Sequence, residues 1–296
     1  MEARRHQRLV NQASVKLPYC ISAAPSHTGA MTDKDETTLV GGRSTVTKSG
    51  EIVFRVSAPW SATTIALLRH LEREGYSYAP RVIGSGFDAQ GRETLSFVQG
   101  ESVHPYAWSD DAMPALGRML KELHQATASF VPPADAVWRP WFGRRLGQPS
   151  IIGHCDTGAW NIIARDGTPV ALIDWEEAGP VDPLVELAQA CWLNALLFDD
   201  DLVETLGLGS AEARGRQVRL LLDGYELPRR ERQGFVGRMR DFAILSAANE
   251  AREAKITPET TNASALWAVT WRTRSAGWLV THHDALERVI EGRASV

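Results

Sequence analysis

Between Leu39 and Ser57 apolar and polar positions alternate over short stretches, in "LVGG", "STVTKSG" and "EIVFRVS", with β-branched residues and a turn at Ser49-Gly50. A period of two broken at glycines predicts hairpin strands. The pattern then changes. In "PWSATTIALLRHLEREG" the apolar residues Ile65, Leu68 and Leu71 recur at helical spacing, with Pro59 at the approach and Gly75 at the exit. Two further strands, "APRVIGSG" and "GRETLSFVQG", flank the turn "FDAQG". After Gly100 the helical period takes over: Met113, Leu116, Leu120 and Leu123 form one stripe, and "PLVELAQACWLNALLF" and "SALWAVTWRTRSAGWLV" have helical length and period. The exception is a strand-turn-strand unit, "WNIIAR", "DGT", "PVALID". The pattern therefore predicts a mostly β first lobe over residues 37–100 and a helical second lobe over residues 101–296, linked near Gln99 to Val103. Residues 1–36 are rich in small and polar residues and precede the first periodic pattern, which predicts a weakly ordered tail; Met31 is an alternative start of the compact protein.

Composition narrows the function classes. The 296 residues are 44% hydrophobic, enough for a substantial core divided between two lobes. Lysine and arginine total 32 against 36 acidic residues, a formal charge of −4, which predicts neither a nucleic-acid nor an anionic-lipid partner. Cys20, Cys155 and Cys191 have no paired metal-ligand spacing and read as reduced thiols. The first 30 residues hold no sustained apolar segment, so neither a signal peptide nor a membrane anchor is expected and a cytoplasmic location is. Nothing in the sequence assigns an oligomeric state.

The chemistry concentrates in "IIGHCDTGAWNIIARDGTPVALIDWEE", residues 151–177. If Asn161 starts one strand and Asp174 ends the next, both side chains emerge at one end of the hairpin, close enough to share an ion. An amide oxygen and a carboxylate are hard ligands suited to magnesium, which needs few protein groups when phosphate oxygens and water complete its shell. Asp156 lies in the preceding loop. Each of these residues alone has an ordinary role: Asp156 in a turn, His154 in a core, Asn161 in a loop, Asp174 as a cap.

Together the histidine, a variable residue, the aspartate, four variable residues and asparagine, followed after a hairpin by Ile173-Asp174-Trp175-Glu176, closely resemble the aminoglycoside phosphotransferase family. The resemblance implies an α+β, two-lobed protein-kinase-like fold of the small-molecule kinase branch. It also implies magnesium-dependent transfer of the γ-phosphoryl group of ATP to a hydroxyl of a small molecule, an aminoglycoside or another antibiotic among them. By motif, Asp156 is then the catalytic base, His154 braces the catalytic loop, and Asn161 and Asp174 hold Mg2+. Cys155 stands where family members usually have glycine. Asp182 and Glu186, in "AGPVDPLVELA", are expected to be structural carboxylates.

The nucleotide side departs from the family. A strand-borne lysine paired to a helix glutamate is usual, yet the strand "GEIVFRVS" offers Arg55, and the following helix has no glutamate in its first two turns, only Glu72 and Glu74 near its end. Arg55 either anchors phosphate through its fork or faces solvent. Gly41 and Gly42 permit close backbone approach to phosphate without completing a phosphate-loop pattern. The resemblance places adenine at Phe97, Val98, Gln99 and Gly100, with ATP the expected donor and GTP left open. For the acceptor, Glu176, Glu177, Asp199, Asp200 and Glu204 offer negative potential or are solvated surface, and Trp138, Trp141, Trp160, Trp175 and Trp192 are expected to pack the core or lobes. Two other readings stand beside the small-molecule kinase: a nucleotide-binding kinase-like protein with weak or no transferase activity, and a protein kinase, for which the chain leaves little room for an activation segment.

Overall fold

The computed structural model describes residues 36–39 and 46–292, apart from the side chains of residues 203 and 204. The expected tail therefore lies outside the described residues except for Glu36, as do Gly41, Gly42 and Cys20. Glu36 itself is tied to the sheet by an ion pair with Arg92 at 2.9 Å.

The first lobe is an antiparallel sheet ordered β1-β2-β3-β5-β4, with β1 Thr37–Leu39, β2 Val46–Ser49, β3 Ile52–Arg55, β4 Val82–Phe87 and β5 Glu93–Ser96. Helix α1, Ser61–Arg73, is inserted after β3 and buries the predicted stripe of Ile65, Leu68 and Leu71. The second lobe begins with α2, Met113–Thr127, whose residues Met113, Leu116, Leu120 and Leu123 are all buried. It continues through β6 Ile151–Gly153, β7 Ile162–Arg165, β8 Thr168–Leu172, β9 Gly179–Val181 and α3 Pro183–Asn194. Helices α4 Asp200–Leu206, α5 Ala211–Tyr225, α6 Phe235–Glu253, α7 Ala263–Thr281 and α8 His283–Glu291 complete it. This is the bilobal α+β architecture of protein-kinase-like folds.

Two contacts fix the frame around the central hairpin. At the interlobe link, Glu101 exchanges backbone hydrogen bonds with Ala164 of β7 at 3.0 and 2.8 Å. Gly100, at φ 143°, passes so close that a Cβ would lie 2.4 Å from the Ala164 carbonyl oxygen, which only glycine allows. In the second lobe α2 crosses α5 at Gly117 and Gly224, where a Cβ on either would lie 2.1 Å from a carbonyl oxygen of the other helix. That close crossing brings His124 of α2 beside Tyr225 at the end of α5, beneath the loop between β6 and β7.

Candidate active site

The loop between β6 and β7 is held from below by a buried carboxylate. Glu186 of α3 is 0% exposed and accepts the Cys155 N–H at 2.5 Å, while its other oxygen meets His124 Nε2 at 2.7 Å, whose Nδ1 lies 2.7 Å from the Tyr225 hydroxyl. Burial alone would raise the Glu186 carboxyl, but the His124 bond and the Cys155 N–H outweigh it and hold it below the ordinary value. Gln189, one turn further along α3, donates to the Cys155 carbonyl at 3.0 Å and accepts the Thr157 N–H at 3.2 Å. Asp182 caps α3 through Leu184 N–H at 2.9 Å. Both Asp182 and Glu186 therefore serve the scaffold.

The backbone needs this support because Cys155 sits at φ 64°, the left-handed region that favours glycine. A branched or bulky residue would strain there, and the small cysteine tolerates it at a cost of about 1–2 kcal/mol. His154 is 0% exposed. Its Nε2 donates to the Ile173 carbonyl at 2.9 Å and its Nδ1 accepts the Asp156 N–H at 3.2 Å, and its ring meets Trp175 edge-on at 4.7 Å. Those two bonds specify one neutral tautomer, and burial lowers its pKa. His154 thus links the Asp156 loop to the far strand of the hairpin.

Asp156 is half-buried. Burial first, then the charge of Asp174, lift its carboxyl to about 6, against hydrogen bonds from Asn161 and Trp160. Asn161 donates its amide to the Asp156 carbonyl at 3.0 Å and to Asp156 Oδ2 at 2.7 Å, which leaves its own oxygen uncommitted to Asp156. Asn161 ends the single turn Ala159–Asn161 just before β7, and Asp174 follows β8 by two residues, so each lies slightly outside the strand that sequence assigned it. The hairpin still brings them to one end: Ile162 pairs with Leu172, and the Ile173 N–H reaches the Asn161 carbonyl at 2.9 Å.

Asp174 is left-handed at φ 63°, with Trp175 behind it as a buried peg whose indole N–H bonds the Leu172 carbonyl at 2.9 Å. Its Oδ1 is buried, has no well-directed hydrogen bond, and lies 2.8 Å from Nη2 of Arg55. Arg55 thus points across the cleft, with Glu176 at 3.3 Å as its second partner. Burial opposes its charge, but Asp174, Glu93 and Glu176 outweigh burial and raise its pKa. Glu72 is instead an exposed partner of Arg81 at 3.7 Å, so the inserted helix supplies no counter-ion to Arg55.

At the link, Phe97 donates its N–H to the Glu51 carbonyl at 2.8 Å, and the ammonium of Lys48 sits 3.5 Å from the centre of its ring. The Gln99 carbonyl is taken by Arg165 at 2.9 Å. Neither Val98 nor Gly100 makes a backbone hydrogen bond among the described residues, so both leave peptide groups open at the link.

Of the acidic residues that the sequence offers for the acceptor, the side chain of Glu204 lies outside the described residues, and the other four separate into two places. Glu176 and Glu177 follow Asp174 at the end of the hairpin, but Arg139 pairs with both, with Glu177 at 3.2 Å. Burial, Asp156 and Glu176 push Glu177 up to about 7 despite Arg139. Asp199 and Asp200 are held elsewhere: Asp199 forms a two-point bond with Arg274 at 2.8 and 3.0 Å, and Asp200 accepts the Trp278 indole N–H at 2.8 Å. Arg139 and Glu93 escaped the sequence reading. The only available signal for Glu93 was an acidic residue opening a strand that is otherwise buried. Among the described residues no cluster of three or more His, Cys, Asp or Glu side chains could hold a metal, so any ion here would need the Asn161 oxygen and groups from its ligand. No described helix is long and apolar enough to cross a membrane.

The model of the phosphotransferase enzyme family matches residues 133–226, which span the loop, the hairpin and the helices beneath them. The trifolitoxin immunity protein of Rhizobium leguminosarum bv. trifolii is 58% identical over 258 residues, 86% of this chain and 99% of that one. Among solved structures, a microcompartment-associated aminopropanol kinase aligns with TM-score 0.58 at 14% identity over 86% of this chain and 93% of the other. A choline/ethanolamine kinase family protein from Mesorhizobium loti aligns with TM-score 0.56 at 15% identity over 99% of each chain.

Proposed function

This chain belongs to the phosphotransferase enzyme family, and from that premise we propose that it transfers the γ-phosphoryl group of ATP to a hydroxyl of a small molecule, with magnesium as cofactor. The observation that carries the reading is the joint placement of Asp156, Asn161 and Asp174 at one end of a hairpin, with Arg55 reaching them from the other lobe.

Asn161 and Asp174 would hold the ion. The uncommitted Asn161 oxygen and the Asp174 oxygen without a directed hydrogen bond are hard donors of the type magnesium takes. When bound, the ion supplies positive charge that screens the phosphate oxygens. The remaining work belongs to the chain. Arg55 presents a guanidinium fork to phosphate in place of the usual lysine. Asp156, oriented by Asn161 and by its own N–H on His154, accepts the proton of the attacking hydroxyl. Its carboxyl near 6 is ionised at neutral pH yet basic enough to take that proton. Val98 and Gly100 would offer the purine edge open peptide groups at the link.

The high identity to a trifolitoxin immunity protein favours a toxin as the acceptor, inactivated when its hydroxyl is phosphorylated. The test is an ATP-consumption screen with magnesium across trifolitoxin, aminoglycosides, macrolides, amino alcohols and sugars, with mass analysis of every product. The expected result is one acceptor gaining the mass of one phosphoryl group. Tight nucleotide binding with no phosphorylated product would instead establish the noncatalytic alternative.

A further inference from the structure

Arg55 faces three carboxylates, and the one in its own lobe has no role in the scheme above. Glu93 opens β5 directly opposite Arg55 in the β3–β5 register, so the two side chains share one face of the sheet. Glu93 is only 7% exposed. Its Oε1 accepts the hydroxyl of Ser61, the first residue of α1, and the Ser61 oxygen accepts the Ala58 N–H at 2.8 Å. Helix α1 has no acidic residue in its first turn, so Glu93 supplies the negative charge that this helix end favours. One hydroxyl and a helix end do not compensate a buried carboxylate; a cation must stand near it. Arg55 is the cation facing it: burial raises the Glu93 carboxyl, the Ser61 bond and the Arg55 charge work against burial, and Asp174 and Glu176 add to it.

Asp174 and Glu176 belong to the second lobe, and both lose their hold on Arg55 if the guanidinium turns to phosphate. We propose that Glu93 is the positioning residue for Arg55, a cross-strand carboxylate that keeps the guanidinium aimed into the cleft when nucleotide replaces Asp174 and Glu176. The strand-to-helix pair of the related kinases would thus be rebuilt here as a strand-to-strand pair. Adjacent strands hold Cα partners about 5 Å apart, a separation that suits the long arginine fork. Ser61 fixes the Oε1 atom of Glu93, so that the pair is oriented by the start of α1. This assignment rests on the ATP reading above.

The test is a double-mutant cycle on nucleotide affinity, measured by calorimetry of magnesium-ATP binding to the full chain as wild type, Glu93→Gln, Arg55→Ala and the double variant. Glutamine keeps the volume and an oxygen for Ser61. Glu93→Gln is expected to weaken ATP binding roughly tenfold, the scale of one charge-assisted contact, and to add nothing once Arg55 is alanine. A merely structural role would instead give additive losses in the two backgrounds. If Glu93→Gln does not fold, Glu93→Asp carries the same cycle. Wild type that binds ATP with Glu93→Gln unchanged, or with additive effects, overturns the Glu93 assignment alone. Wild type that binds no nucleotide overturns the ATP reading and this assignment with it.

Discussion

Asp156→Asn should remove activity and stabilise the fold. The carboxyl ordinarily titrates at 3.8, and burial beside Asp174 lifts it to about 6 in the folded chain. A carboxyl raised on folding binds its proton more tightly in the native state, so its ionisation works against the fold. The penalty is absent below pH 4, grows as pH rises from 3.8 to 6, and is complete above that. Its full size is about 3 kcal/mol from the two values, and 1–3 kcal/mol is the order of magnitude to expect. Asparagine carries no charge and keeps an oxygen for the Asn161 amide, which lies 2.7 Å from Oδ2 in wild type. Urea denaturation at pH 8 should therefore show the variant more stable by about 1–3 kcal/mol, with roughly half that difference at pH 5. Turnover at saturating nucleotide should fall by about 10²–10⁴, the range of general-base catalysis. Equal or lower stability of the variant at pH 8 would refute the reasoning about burial, and turnover within a few-fold of wild type would remove Asp156 from the role of base.

Three further outcomes follow from the scaffold around it. Cys155→Gly should be more stable than Cys155→Ala by about 1 kcal/mol in denaturant titrations, because glycine relieves the positive φ that alanine retains; the reverse order would show that the loop is unstrained. Glu186→Gln should cost about 2–4 kcal/mol at pH 7 by weakening a buried charge-assisted pair. The Glu186 carboxyl is depressed on folding, so its contribution is present above 4.5 and is lost as pH falls below it, and thermal melts from pH 7 to 3 should see wild type and variant converge. Asn161→Ala should raise the magnesium concentration for half-maximal activity by roughly tenfold or more, measured by metal titration at fixed ATP; an unchanged midpoint would take Asn161 out of the ion site.

What was legible in the sequence was what the chain determines over short spans. Ile65, Leu68 and Leu71 lie one turn apart and face one way, and they are buried as their spacing predicts. The ends of the central hairpin meet because a tight turn at Asp166-Gly167 leaves them no other course. The partners of Arg55 could not be read this way. Glu176 is 121 residues distant, and the pairing exists only once the two lobes meet. The helix glutamate was missing from its expected place, but where a replacement would come from is a matter of sheet register. The same holds for Asp199 and Asp200, whose acidic run looked free until α7 brought Arg274 and Trp278 against it.

That pairing bears on what the site can attract. A polyamine gains affinity from carboxylates whose charge is uncompensated, and the electrostatic pull of a paired acid falls steeply outside its own contact. Here Glu176 is shared by Arg55 and Arg139, Glu177 is bound to Arg139 and titrates near neutrality, and Asp199 is locked by Arg274. Arg55, Glu176, Arg139 and Glu177 alternate in sign from one lobe to the other. Such a chain responds to an anion more readily than to a cation: phosphate arriving at Arg55 withdraws that cation from Asp174, which the ion would then claim, and from Glu176, which keeps Arg139 alone, and only then does the cleft around Glu176 gain negative charge. Nucleotide binding is therefore expected to precede the capture of a cationic acceptor. In initial-rate measurements an aminoglycoside or amino alcohol should show little affinity for the nucleotide-free protein and a clear gain with ATP bound, whereas equal affinity in both states would mean that acceptor recognition lies away from this charge chain.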